Sequence, residues 1–102
     1  MANFEEVDDE IRFDDILEHN DKVVVDFGAA WCGPCNRFAP HFTSASEKSD
    51  AKFVSIDVDE APWAAKRFNI LGIPNVKFFR EGQVETELLS RTAPKLLSEI
   101  PE

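Results

Sequence analysis

The sequence predicts an α/β protein, a central mixed β-sheet flanked by about four helices, in one domain spanning residues 1–102. Three observations predict it. Val23-Val24-Val25-Asp26-Phe27 is a nearly continuous apolar run, the pattern of a strand covered on both faces. Strand-like and helix-like segments alternate through the first two thirds of the chain, and right-handed crossovers between them make the early strands parallel. Near the end, two strand-like segments flank Glu81-Gly82, the signal of a tight antiparallel hairpin.

Taken in order, residues 3–7 suit an edge strand. Residues 9–19 place Phe13, Ile16 and Leu17 at i, i+3, i+4 among acidic side chains, the spacing of a short amphipathic helix. The strand at 22–27 follows. Residues 33–48 read as a helix, with Pro34 tolerated in its first turn and Pro40 expected to kink its middle. Residues 52–58 alternate Phe53, Ser55 and Asp57 against Val54, Ile56 and Val58, a second strong strand. Asp59-Glu60-Ala61-Pro62 has the form of a helix start, an acidic cap followed by proline, for a helix running to about residue 68. Strands at 75–80 and 83–89 form the hairpin, and Thr92-Ala93-Pro94 opens a last helix with Leu96, Leu97 and Ile100 on one side.

Composition narrows the function. The chain holds 20 acidic and 11 basic residues, a formal net charge of −9, which argues against a nucleic-acid partner. No stretch approaches the roughly 18–20 apolar residues of a membrane span. The first residues, Met1 to Glu6, lack the basic and apolar regions of a secretory signal, so a cytoplasmic setting is expected.

The only two cysteines, Cys32 and Cys35, stand in Trp31-Cys32-Gly33-Pro34-Cys35, where the buried strand hands over to the helix. A thiolate at a helix N-terminus faces unpaired N–H groups and the positive end of the helix dipole, which lowers its pKa. A structural zinc site needs about four N or S ligands. This chain offers beyond the pair only His19, on another element, and His41, so a redox dithiol is the reading adopted and no metal is expected. Cys32, nearer the loop, is the expected nucleophile, and Cys35, a turn further in, the resolving thiol. Gly33-Pro34 keeps the bridging turn tight.

Asp26 admits two readings. It either caps the loop after the strand, or it is a buried carboxyl below the dithiol, raised in pKa by desolvation and exchanging a proton with Cys35. Pro74 in Gly72-Ile73-Pro74 cannot donate to a β-ladder and belongs at a strand start or edge. Trp31, directly before a reactive thiol, suits a contact surface. Trp63 suits packing.

Over essentially its whole length the chain resembles the thioredoxin family. Carrying that resemblance are Phe13, Val25-Asp26-Phe27, Ala29, Trp31-Cys32-Gly33-Pro34-Cys35, Ala39-Pro40, Asp57, Asp59, Gly72-Ile73-Pro74 and Glu81-Gly82. The resemblance implies the thioredoxin fold, a cis Ile73–Pro74 bond facing the dithiol, and Asp26 as the buried acid. It implies a substrate groove bordered by Trp31, Gly33, Pro34, Gly72, Ile73, Pro74, Leu89, Ser90 and Arg91. It further implies a monomer that reduces disulfide-containing protein substrates, with no bound cofactor beyond the reversible Cys32–Cys35 disulfide and with recycling by an external thioredoxin reductase. Other roles within reach of the family are disulfide oxidation or isomerisation, and non-catalytic service as a binding subunit.

Three departures from the family pattern stand out. Gly28 replaces an aromatic residue usual in bacterial members, so packing there is expected to be either looser or filled from elsewhere, with Trp63 a candidate. Ser55 replaces a lysine found beside the buried aspartate in many members. Without that ammonium the desolvation of Asp26 is expected to go uncompensated. Ser90 replaces a groove glycine and adds bulk, and Arg91 brings a positive charge to the same segment.

Overall fold

The computed structural model describes residues 3–102; Met1 and Ala2, part of the N-terminal stretch considered above, lie outside it. Its elements are β1 (Phe4–Glu6), α1 (Glu10–His19), β2 (Lys22–Gly28), α2 (Gly33–Lys48), β3 (Lys52–Asp57), α3 (Pro62–Arg67), β4 (Asn75–Arg80), β5 (Gln83–Leu88) and α4 (Ala93–Glu99). The strands form one five-stranded sheet in the order β1-β3-β2-β4-β5. β1 and β2 run parallel to β3, whereas β4 runs antiparallel to β2 and to β5.

The central position of β2 explains its composition. Both its edges are hydrogen-bonded and both its faces are covered, so it can be apolar throughout. Side chains alternate between faces along a strand. Val23, Val25 and Phe27 enter one core with Phe13, Ile16 and Leu17 of α1 and Ala64 of α3. Val24 enters the other with Phe38 and Phe42 of α2 and Leu96 of α4. The period of two puts Asp26 on the Val24 face, paired in register with Ser55 on β3 and Val76 on β4.

Local signals set the element ends. Asp9 caps α1, its carboxylate accepting from the Arg12 N–H at 3.1 Å. The hairpin turns through Glu81 (φ 50°) and Gly82 (φ 81°), left-handed backbone that glycine adopts without strain. Pro40 lies inside α2 as anticipated.

Two expectations change. The N-cap of α3 is Ala61, whose methyl offers no cap bond, and the Asp59 carboxylate instead accepts from the Trp31 indole. Trp63 fills no space beside Gly28: its ring packs 5.7 Å from that of Phe13, and its indole N–H donates to the Asp8 carbonyl at 2.8 Å. Trp63 is a packing residue, as its context suggests, but in the α1/α3 layer.

Phe13 is the hub of that layer, fully buried and in ring contact with Trp63, Phe68 and Phe79 at 5.7–5.8 Å. Phe13→Ala is predicted to cost about 3–5 kcal/mol, a large share of the stability of a domain this size. A urea-unfolding midpoint close to that of the parent chain would contradict it.

Candidate functional site

The end of β2 delivers the chain into α2 through Ala29 to Cys32. Cys32 is the N-cap of α2, with extended backbone, and its Sγ accepts a hydrogen bond from the Cys35 N–H at 3.2 Å. Pro34 occupies the first turn, where its missing N–H leaves no partner unsatisfied. Cys32 and Cys35 are joined as a disulfide, their Cα atoms 5.2 Å apart, and both are buried with Ala29 while Ile73 packs against them. Across from the pair, Ile73–Pro74 is a cis peptide, and the Ile73 carbonyl lies 3.9 Å from the Cys32 Sγ. Gly33 and Pro34 are exposed beside the disulfide, and Gly72 is exposed next to Ile73.

Trp31 stands out from this surface, 71% exposed, yet it is anchored: its indole N–H donates to the Asp59 carboxylate at 2.6 Å. Asp57 fixes the same loop from below. One of its carboxylate oxygens accepts from the Ala30 N–H at 3.1 Å, and the other from the Asp59 N–H at 2.8 Å. In the sequence Asp57 reads as a strand residue and Asp59 as a helix cap, and neither points to the Trp31 loop. The signal for their local work was present, since Asp two residues before an acceptable N–H is an Asx-turn pattern.

Asp26 does not cap a loop. It is 8% exposed, lies in the interior of β2, and its Oδ1 has no hydrogen-bond partner among the described residues. Burial pushes its carboxyl up to about 7, and the positive charge of Arg91 pulls in the opposite direction. The expectation that desolvation would go uncompensated without a lysine at position 55 is therefore corrected: a cation from a different element acts there. Asp26 and Cys35 border one cleft of about 520 Å³ together with Gly28, Ser55, Asp57 and Glu60. A Cβ at Gly28 would come within 3.3 Å of the Cys35 Sγ, so the missing side chain leaves the sulfur open to this cleft.

The β5–α4 segment meets the site at Pro74, through Arg91. Leu89 is 68% exposed. The backbone N–H groups of Leu89 and Ser90 both donate to the Glu99 carboxylate, at 3.2 and 2.6 Å. Arg91 turns inward, donating to the carbonyls of Leu88, Ser90 and Pro74. The Glu99 cap had no sequence signal, because its partners lie nine and ten residues away on another element. His41, weighed earlier as a metal ligand, accepts through Nδ1 from the Ala93 N–H at the start of α4. Among the described residues no group of three or more His, Cys, Asp or Glu side chains is placed to hold a metal ion.

A buried disulfide at a helix start, bordered by exposed glycine and proline, is built for exchange with other sulfurs, the chemistry of a thiol–disulfide oxidoreductase. The thioredoxin family model matches residues 4–101, and the chain belongs to the thioredoxin family. It is 40% identical over 75 residues to thioredoxin H2 of Arabidopsis thaliana, covering 72% of this chain and 56% of that protein. It is 45% identical over 74 residues to a thioredoxin of Mycoplasmoides gallisepticum, covering 72% and 74%. Against the oxidised mitochondrial thioredoxin 3 of Saccharomyces cerevisiae the TM-score is 0.85 at 32% identity, covering 95% of this chain and 92% of that one.

The raised Asp26 carboxyl has a consequence for stability. Its proton affinity is higher in the folded chain than in the unfolded one, where a carboxyl titrates near 3.8. Between about pH 4 and 7 the folded state therefore holds more protons, and stability falls as pH rises through that window. Asp26→Asn removes this dependence. The variant is predicted to gain about 2–4 kcal/mol over the parent chain on going from pH 4 to pH 8, read by urea unfolding at both values. An equal difference at the two pH values would contradict the burial of a titrating carboxyl.

Proposed function

We propose that the protein is a protein-disulfide reductase in which Cys32 attacks, Cys35 resolves and Asp26 handles the proton. The observation that carries this reading is the Cys32 Sγ at the N-cap of α2, accepting the Cys35 N–H and facing the Ile73 carbonyl beside cis Pro74. The reduced Cys32 thiolate keeps that N–H as a charge-stabilising donor. It attacks one sulfur of a substrate disulfide; the substrate S–S bond breaks, a mixed disulfide forms and the first substrate thiolate leaves.

Asp26, as carboxylate, takes the Cys35 proton, so that Cys35 attacks the Cys32 sulfur and releases the second substrate thiolate. Two electrons pass from the dithiol to the substrate, and the Cys32–Cys35 disulfide remains. A carboxyl titrating near neutrality suits this duty, since it both accepts and returns a proton at working pH.

Trp31, Gly33, Pro34, Gly72, Ile73, Pro74, Leu89, Ser90 and Arg91 are the proposed surroundings of the substrate. The exposed edges of Trp31 and Leu89 offer apolar contact to an extended peptide. We assign the whole of 1–102 to one domain acting as a monomer on disulfide-containing proteins, without a bound cofactor. An external thioredoxin reductase recycles it in a reducing compartment, for which the cytoplasm is proposed. No helix among the described residues is long and apolar enough to cross a membrane.

Cys32→Ser is predicted to abolish reduction of insulin disulfides. Cys35→Ser is predicted to accumulate a mixed disulfide with substrate through Cys32, visible by intact mass. Unimpaired turnover in either variant would remove the dithiol cycle; retained biological function in a Cys32→Ser, Cys35→Ser double variant would point to a binding subunit instead.

A further inference from the structure

We propose that Arg91 is a positioning residue, a clamp that ties the Pro74 wall of the groove to the β5–α4 segment while holding a positive charge on the Asp26 side of the sheet. The inference deepens the reductase reading and rests on it for the role of Asp26.

Arg91 makes three carbonyl bonds at once. Its Nη1 donates to Leu88 O at 2.8 Å and to Ser90 O at 3.1 Å, and its Nη2 donates to Pro74 O at 3.3 Å. The guanidinium carbon lies 5.4 Å from the centroid of the Phe38 ring on α2, a cation–π contact from the helix that begins at the dithiol. One side chain thus joins the residue after the cis bond, the end of β5 and the dithiol helix. Among the described residues no carboxylate forms an ion pair with it. Its charge is felt instead at longer range by Asp26 and by Glu99, both of which it pulls toward the ionised form.

The fork geometry matters here. A planar guanidinium with several fixed donors can reach three carbonyls in different directions, which a single ammonium cannot reproduce. The charged groups that border the cleft with Asp26 are acidic, Glu6, Asp8, Asp57 and Glu60, and α2 contributes Cys35, Asn36 and Ala39 to it. Its register partners, Ser55 and Val76, carry no charge. Glu99 on α4 shares the field of Arg91. Among the described residues the cation that acts on Asp26 lies at position 91. The clamp therefore has two separable duties, the shape of the groove wall and the charge balance behind the dithiol.

The test uses Arg91→Met, which keeps length and packing, and Arg91→Lys, which keeps charge without the fork. The Asp26 carboxyl is titrated by NMR, and KM and kcat for insulin reduction are measured across pH. Arg91→Met is expected to raise the proton affinity of Asp26 by about two- to tenfold and to raise KM severalfold. Arg91→Lys is expected to return the Asp26 midpoint toward the parent value while KM stays raised. If Arg91→Met is unfolded, the lysine variant alone decides: a raised KM with the midpoint kept supports the clamp. Unchanged midpoint and KM in a folded variant, or both quantities moving equally in the two variants, would overturn it. Kinetics of Asp26→Asn keep the underlying reading separate. An unaltered pH profile there removes Asp26 from the reaction, and the midpoint and KM of the Arg91 variants still report on the clamp.

Discussion

The structure depends on the burial of β2 from both faces and both edges. A strand in that position must be apolar where it is buried, and its one buried exception, Asp26, falls at the register that faces α2 and α4 rather than α1 and α3. Moving that residue by one position would turn it into the other core. The same strand leads into the loop that carries the dithiol, so the cost of keeping a carboxyl out of water is borne beside a cleft that Cys35 also borders. Desolvation, not a neighbouring carboxylate pair, is what lifts its proton affinity.

Around this strand three loops converge, and each is held by bonds from outside itself. Asp57 and Asp59 fix the stretch from Ala30 to Trp31, so an exposed indole is presented in one orientation. Glu99 holds the N–H groups of Leu89 and Ser90. Arg91 links that segment to the carbonyl of Pro74. The surface around the disulfide is thus assembled from positions far apart in sequence, and its exposed apolar side chains stand on a network of charge-assisted bonds.

Much of this was legible in the amino-acid order. The continuous apolar run in 22–27, the period of two in 52–58, the i, i+3, i+4 pattern around Phe13 and the Glu81-Gly82 turn locate elements within a residue or two, because local stereochemistry and burial act together there. The dithiol was legible because Cys-x-x-Cys after a buried strand serves few other chemistries. Asp26 left two readings open, since a strand's parity tells which face a residue takes only when the covering helices are known. Less visible were the contacts between elements. Asp59 looked like a cap for α3 and instead binds Trp31; Trp63 packs on Phe13 rather than near Gly28; Arg91 looked like a charge in the groove and turns inward to three carbonyls. Each of these depends on distances between segments, which no local pattern encodes.

The central claim is that this buried-acid dithiol works as a reductant of protein disulfides. The equilibrium potential of the Cys32–Cys35 pair against glutathione tests it most directly. The account predicts a strongly reducing value, near the about −270 mV of thioredoxin. A value near about −180 to −120 mV, the range of isomerases and disulfide oxidants, would contradict it.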